Sequence, residues 1–142
     1  MIKRFFLPVM AACLCLSILT GCMKSEDITA AVVPTNEPGT YAQITAAEAK
    51  GLMDSGVNCI ILDVRTQEEF AAGHIEGAIL LPDYEVGAKA ENLLTDKSQL
   101  IHVYCRSGRR SKNAASDLAA LGYTNVKEFG GIIEWPYETV ID

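Results

Sequence analysis

One cysteine in this chain is placed to act as a nucleophile. Cys105 stands where an apolar run gives way to a glycine-containing, arginine-rich turn, Ile101-His102-Val103-Tyr104-Cys105-Arg106-Ser107-Gly108-Arg109-Arg110-Ser111, and a helical pattern follows at once. The thiolate is the nucleophilic form of cysteine, and a helix N-terminus with guanidinium groups nearby holds a thiol well below its usual pKa of about 8.5. Loop amides without helical partners can point at negative charge on the sulfur, or on whatever the sulfur attacks.

The elements around the turn must deliver that thiol to a strand end. Asn58 to Val64 is a continuous apolar run bounded by turn residues, the pattern of a strand buried on both faces. Ala78 to Leu81, Leu100 to Tyr104 and Val126 to Phe129 are three further strands. Thr45 with Glu48 and Thr66 with Glu69 have capping-box spacing and open two helices, which Gly56 and Gly73 close. Residues 84–94 are weakly helical. Ser111 to Leu121 is a helix with Ala114, Ala115, Leu118 and Leu121 inward and Gly122 at its end. Gly130-Gly131 then leads into a short helical turn reaching Trp135. Strands alternating with helices imply a single α/β domain with a central, mainly parallel sheet flanked by helices. Ligands of such sheets sit beyond the carboxyl ends of the strands, where Asp63 and Cys105 fall.

The N-terminus reads as a targeting segment. Lys3 and Arg4 precede an apolar stretch from Phe5 to Leu19, shorter than the ~20 residues of a membrane helix. It ends in Leu19-Thr20-Gly21-Cys22, which resembles the lipobox of bacterial lipoproteins. That resemblance implies a signal peptide over 1–21, a lipid on Cys22, and an extracytoplasmic domain anchored to the bacterial cell membrane or envelope. Residues 22–40 are polar, with Pro34 and Pro38, and read as a flexible tether; the domain is expected over 41–142.

Without its first 21 residues the chain keeps 18 acidic and ten basic side chains, a net charge of −8 that disfavours nucleic acid. Four of those ten (Arg106, Arg109, Arg110 and Lys112) fall just after Cys105, a local anion site in an acidic protein. Cys59 starts one strand and Cys105 ends another. In parallel strands that separates their sulfurs by about 13 Å, against the ~5.5 Å between Cα atoms that a disulfide needs. Cys59 is therefore read as a small buried hydrophobe. Two histidines with no clustered partner imply no metal site, and no cofactor is expected.

Four segments occur in order: Asp63-Val64-Arg65-Thr66-Gln67-Glu68-Glu69-Phe70, Gly73-His74-Ile75-Glu76-Gly77-Ala78-Ile79, the Cys105 to Ser111 turn, and Gly130-Gly131 with Trp135. Together they resemble the rhodanese family over nearly all of the chain from Tyr41. The resemblance implies a sulfurtransferase, with Cys105 taking the outer sulfur of a donor such as thiosulfate as a persulfide. It then passes that sulfur to a thiophilic acceptor such as cyanide or a thiol. On this reading the substrate-binding residues are Arg106, Ser107, Gly108, Arg109 and Arg110, whose amides would cradle the terminal sulfur while the arginines attract an anionic donor. Asp63 and Arg65 are expected in hydrogen-bonded structural roles near the site. His74 is expected to make a strand-entry hydrogen bond rather than act as a base, His102 to pack, and Trp135 to form a lid on the core.

Three other readings share parts of this pattern. Phosphatases and arsenate reductases place an arginine after Cys and five residues, but position 111 is Ser111, and Arg110 closes a shorter loop suited to a single sulfur atom. A non-catalytic binding or sensing module would not need the cysteine. An envelope persulfide carrier would use Cys105 but hand its sulfur to a protein thiol.

Overall fold

Each helix of the first half begins where a threonine supplies the missing backbone acceptor. In the computed structural model, which describes residues 36, 37 and 39–141, Thr45 and Thr66 accept from the amides of Glu48 and Glu69, and both glutamates reach back to the N-cap amides. These capping boxes open α1 (Ala46–Asp54) and α2 (Gln67–Ala71). Among the described residues the remaining α-helices are α3 (Val86–Leu93) and α4 (Arg109–Ala120). At the end of α4 the amides of Gly122 and Tyr123 donate to Ala119 and Leu118, the paired bonds of a Schellman cap. Short 3-10 turns cover Asp83–Glu85 and Ile132–Glu134.

Five strands, β1 (Ala42–Gln43), β2 (Cys59–Asp63), β3 (Ala78–Leu80), β4 (Leu100–Cys105) and β5 (Val126–Gly131), pair throughout in parallel in the order β1-β5-β4-β2-β3. The mainly parallel α/β sheet expected from the alternating pattern is present, and every strand pairing described in it is parallel. β1 is an addition to the four expected strands: two residues are too few to show a period. Every residue of β4 is buried. On one face Val103 and Cys105 pack with Ala114, Ala115 and Leu118 of α4 and with Val86 and Ala90 of α3. On the other, Tyr104, Phe129 and Trp135 pack with Ala49. The chain leaves β2 outward to β3 and returns as β4 on β2's other side. The carboxyl ends of β2 and β4 therefore flank a topological switch point, where such sheets place their ligands.

The expected signal peptide 1–21 and the expected lipid site Cys22 lie outside the described residues, as does most of the expected tether 22–40. Where that tether is described, it is bonded to the domain. The Asn36 amide donates to Thr124 and its side chain to Val126, so packed chain starts upstream of Tyr41.

His102 is fully buried beside Phe129, and neither ring nitrogen has a hydrogen-bond partner among the described residues. Burial, reinforced by Lys127, lowers its pKa from 6.5 to about 4. Between those values the unfolded chain binds the proton that the folded chain refuses, so stability falls as the pH falls through this window and is unaffected above it. We predict that the denaturant midpoint drops between neutral pH and about pH 5. His102→Leu should flatten that drop; an equal drop in both proteins would contradict the assignment.

Candidate active site

The thiol sits at the last residue of β4, where the chain turns through Arg106 and Ser107 into α4. Gly108 makes this turn possible: it caps α4 in the left-handed region, at φ 95°, which a side chain would disfavour. Its amide donates to Cys105 Sγ at 3.1 Å. Cys105 is only 1 % exposed, and burial alone pushes a thiol's pKa up. The Ser111 hydroxyl and the amides of Ser111, Ser107 and Gly108 more than offset burial, leaving the thiol below its ordinary value. The sequence-predicted loop thus comes together around one sulfur.

The floor of the loop is β5. A register shift between Val103 and Cys105 brings Gly131 opposite Cys105, a bulge beside the site. A Cβ on Gly131 would lie 2.3 Å from the Arg106 carbonyl oxygen and 2.5 Å from the Ser107 Cα, so the turn rests directly on this glycine's backbone. Beneath it Ser111, itself buried, donates to Glu128 Oε1 at 2.6 Å, and the Gly130 amide donates to the same oxygen at 2.9 Å. The sequence reading missed Glu128. Its signal was the alternation of β5, which puts an acid on the same inward face as Val126.

The three loop arginines divide. Arg110 makes a two-pronged ion pair with Glu69 of α2, at 2.7 and 2.8 Å. The Arg110 hydrogen bond drives the Glu69 carboxyl down to about 2, and Glu69 in turn raises Arg110. Arg106 and Arg109 are exposed and have no carboxylate partner among the described residues.

Asp63, Arg65 and His74 brace the site without touching the sulfur in any recorded bond. Asp63 is fully buried at the end of β2, and Arg65 folds back on it with Nη2–Oδ2 at 2.6 Å. Arg65 also donates to the Gly73 carbonyl at 2.7 Å and covers the Tyr104 ring. The Tyr104 hydroxyl accepts from the Ile75 amide, while burial and the Asp63 carboxylate push its pKa up. His74 stacks on Phe70 at 3.8 Å, its Nδ1 donates to the Phe70 carbonyl, and its backbone bridges to Val140. Trp135 packs between Phe129 and Tyr137 on the sheet face opposite Cys105, so it seals that core rather than the loop. Cys59 lines a separate cavity of about 720 Å³ on that opposite side and is free, as is Cys105.

The chain is similar in sequence and fold to known proteins. The family model for the Rhodanese-like domain matches residues 45–136. The chain belongs to the rhodanese family. Among relatives of this rhodanese chain is the thiosulfate sulfurtransferase PspE of Escherichia coli, 38% identical over 71 residues that cover 50% of this chain and 68% of that protein. Another is the putative sulfurtransferase YtwF of Bacillus subtilis, 33% identical over 97 residues, covering 68% of this chain and 92% of the relative. Among solved structures, a rhodanese with anions from E. coli superposes with a TM-score of 0.55 at 34% identity, covering 58% of this chain and 98% of its own. The chain is therefore a rhodanese-like sulfurtransferase-family domain, as the four motifs implied.

Gly131→Ala tests the packing of the loop. We predict a loss of about 1–3 kcal/mol in unfolding free energy, together with slower alkylation of Cys105, because the clashing atoms are backbone. An unchanged denaturant midpoint and an unchanged alkylation rate would show that the loop does not depend on this contact.

Proposed function

We propose that this domain transfers a sulfane sulfur through a persulfide on Cys105. The observation that carries the reading is a buried sulfur held by the Gly108 amide inside an amide-rich turn, with the exposed cations Arg106 and Arg109 at its mouth. Such preorganised donors stabilise charge without reorganising during the reaction. The Cys105 thiolate would attack the outer sulfur of a donor such as thiosulfate. A new S–S bond forms, the donor's S–S bond breaks, and its electron pair leaves on sulfite. An acceptor, cyanide or a thiol, then attacks the outer sulfur and returns Cys105 as the thiolate. Neither half needs a metal or an organic cofactor, and sulfite leaves as an anion without a proton. The cradle in the turn fits one sulfur better than a tetrahedral oxyanion, which weighs against phosphatase or arsenate reductase chemistry.

A protein thiol as the acceptor is favoured by two exposed apolar side chains near the turn. Ile133 is 64 % exposed and its amide donates to the Arg106 carbonyl; Tyr84 is 74 % exposed in the 3-10 turn packed on α4. Both would suit a partner's surface better than a small ion. The Leu19-Thr20-Gly21-Cys22 ending supports a location outside the cytoplasm, with a lipid on Cys22 holding the domain at a membrane. Cys22→Ala should then release the protein from the membrane fraction; continued membrane association would exclude that anchor.

Thiosulfate-to-cyanide sulfur transfer tests the chemistry. We predict turnover by the wild type, none by Cys105→Ser, and a stability change in that variant below about 1.5 kcal/mol. Cys59→Ala should retain activity, because Cys59 lies across the sheet. Transfer by Cys105→Ser, or a folded but inactive Cys59→Ala, would overturn the assignment.

A further inference from the structure

The sheet face opposite Cys105 is incompletely covered. On β4, Leu100 and His102 are buried there, whereas Cys59 and Ile61, their partners on β2, are only half-buried. The gap above them is the cavity of about 720 Å³, bordered by the end of α1 and by the segment from Trp135 to Glu138. Its volume falls within the range of small-molecule sites, roughly 300–1,000 Å³. No residue of the Cys105 turn lines it.

Apolar and charged groups divide this lining. Ile61 and Ile75 supply an aliphatic floor, and Trp135 and Tyr137, with ring centroids 4.9 Å apart, supply an aromatic wall. The ionisable groups besides Cys59 and Tyr137 are one ammonium, Lys50, and three carboxylates, Asp54, Glu76 and Glu138. Lys50 pairs with Asp54, and its Nζ stands 5.5 Å from the centroid of the Tyr137 ring. That is a cation–π contact, so the aromatic wall already receives a cation from the chain itself. Glu76 and Glu138 are exposed and have no ion-pair partner among the described residues. The carbonyl end of α1, with no basic residue in its last turn, adds partial negative charge at the same border.

We infer that this cavity is a second binding site, for a small organic cation: an ammonium group carried on an apolar body. The body takes the place of water against Ile61, Ile75 and Trp135, and the unpaired Glu76 and Glu138 carboxylates with the aromatic wall favour the ammonium. An anion would meet three carboxylates and a single lysine already bonded to one of them. A neutral apolar molecule gains the floor alone. The site owes nothing to sulfur transfer at Cys105 and stands whether or not that cysteine carries sulfur.

Trp135 is the only tryptophan of the chain, so its emission reports on the cavity wall directly. The full-length chain is titrated with hexyltrimethylammonium, 1-hexanol and hexanesulfonate at constant ionic strength, while iodoacetamide labelling is read at the Cys59 and Cys105 peptides. The expected result is a saturable change in Trp135 emission with hexyltrimethylammonium, at an affinity about tenfold above that of 1-hexanol, and none with hexanesulfonate. Cys59 should label more slowly with the cation present, and Cys105 at its free rate. Glu76→Gln combined with Glu138→Gln should remove most of the preference for the cation and leave 1-hexanol unchanged; both glutamates are exposed and unpaired, so the variant is expected to fold. No saturable change, equal affinity for the cation and 1-hexanol, or a preference that survives the double substitution would overturn the inference. Emission that shifts while Cys59 labels at its free rate would place the cation elsewhere and overturn it equally.

Discussion

A sulfur anion has to be stable at a position that excludes water. Burying Cys105 costs the thiolate its hydration, and the turn replaces that hydration with fixed donors, the amides of Ser107, Gly108 and Ser111. The replacement works only while the turn keeps its shape. That shape depends on Gly108 adopting a left-handed backbone and on Gly131 having no Cβ where the Arg106 and Ser107 backbone lies. The bulge that brings Gly131 opposite Cys105 is thus part of the site.

Around that centre, charge is assigned with some economy. Asp63 and Arg65 neutralise each other in the core and tie the ends of β2 and β4 to the Gly73–Ile75 segment. Breaking such a buried pair from one side costs about 3–5 kcal/mol, so it suits a brace better than a moving part. Glu69 engages Arg110 and clasps α2 to the start of α4. Arg106 and Arg109 are left exposed on the turn, without a carboxylate partner among the described residues.

Local chemistry was the most legible part of the sequence. Both capping boxes, the strand ending at Cys105 and the fold class could be read because each depends on residues within a few positions of one another. Asp63 and Arg65 were expected near the site because they match the rhodanese Asp-Val-Arg segment; that they bond each other is shown by the structure. What escaped depends on long separations: Arg110 and Glu69 are 41 residues apart, and Ser111 and Glu128 are 17 apart. β1 escaped because two residues carry no period, and the start of α4 was placed two residues late because Arg109 and Arg110 read as turn rather than helix. Trp135 was assigned to the core correctly, but only its packing with Tyr104, Phe129 and Ala49 shows that its side of the sheet is opposite Cys105.

The most direct measurement is the mass of the protein after exposure to thiosulfate alone, with the modified peptide sequenced. The account predicts a gain of one sulfur atom, located on Cys105 and removed by cyanide. An unmodified mass in a folded protein whose Cys105 is free and alkylatable would contradict it.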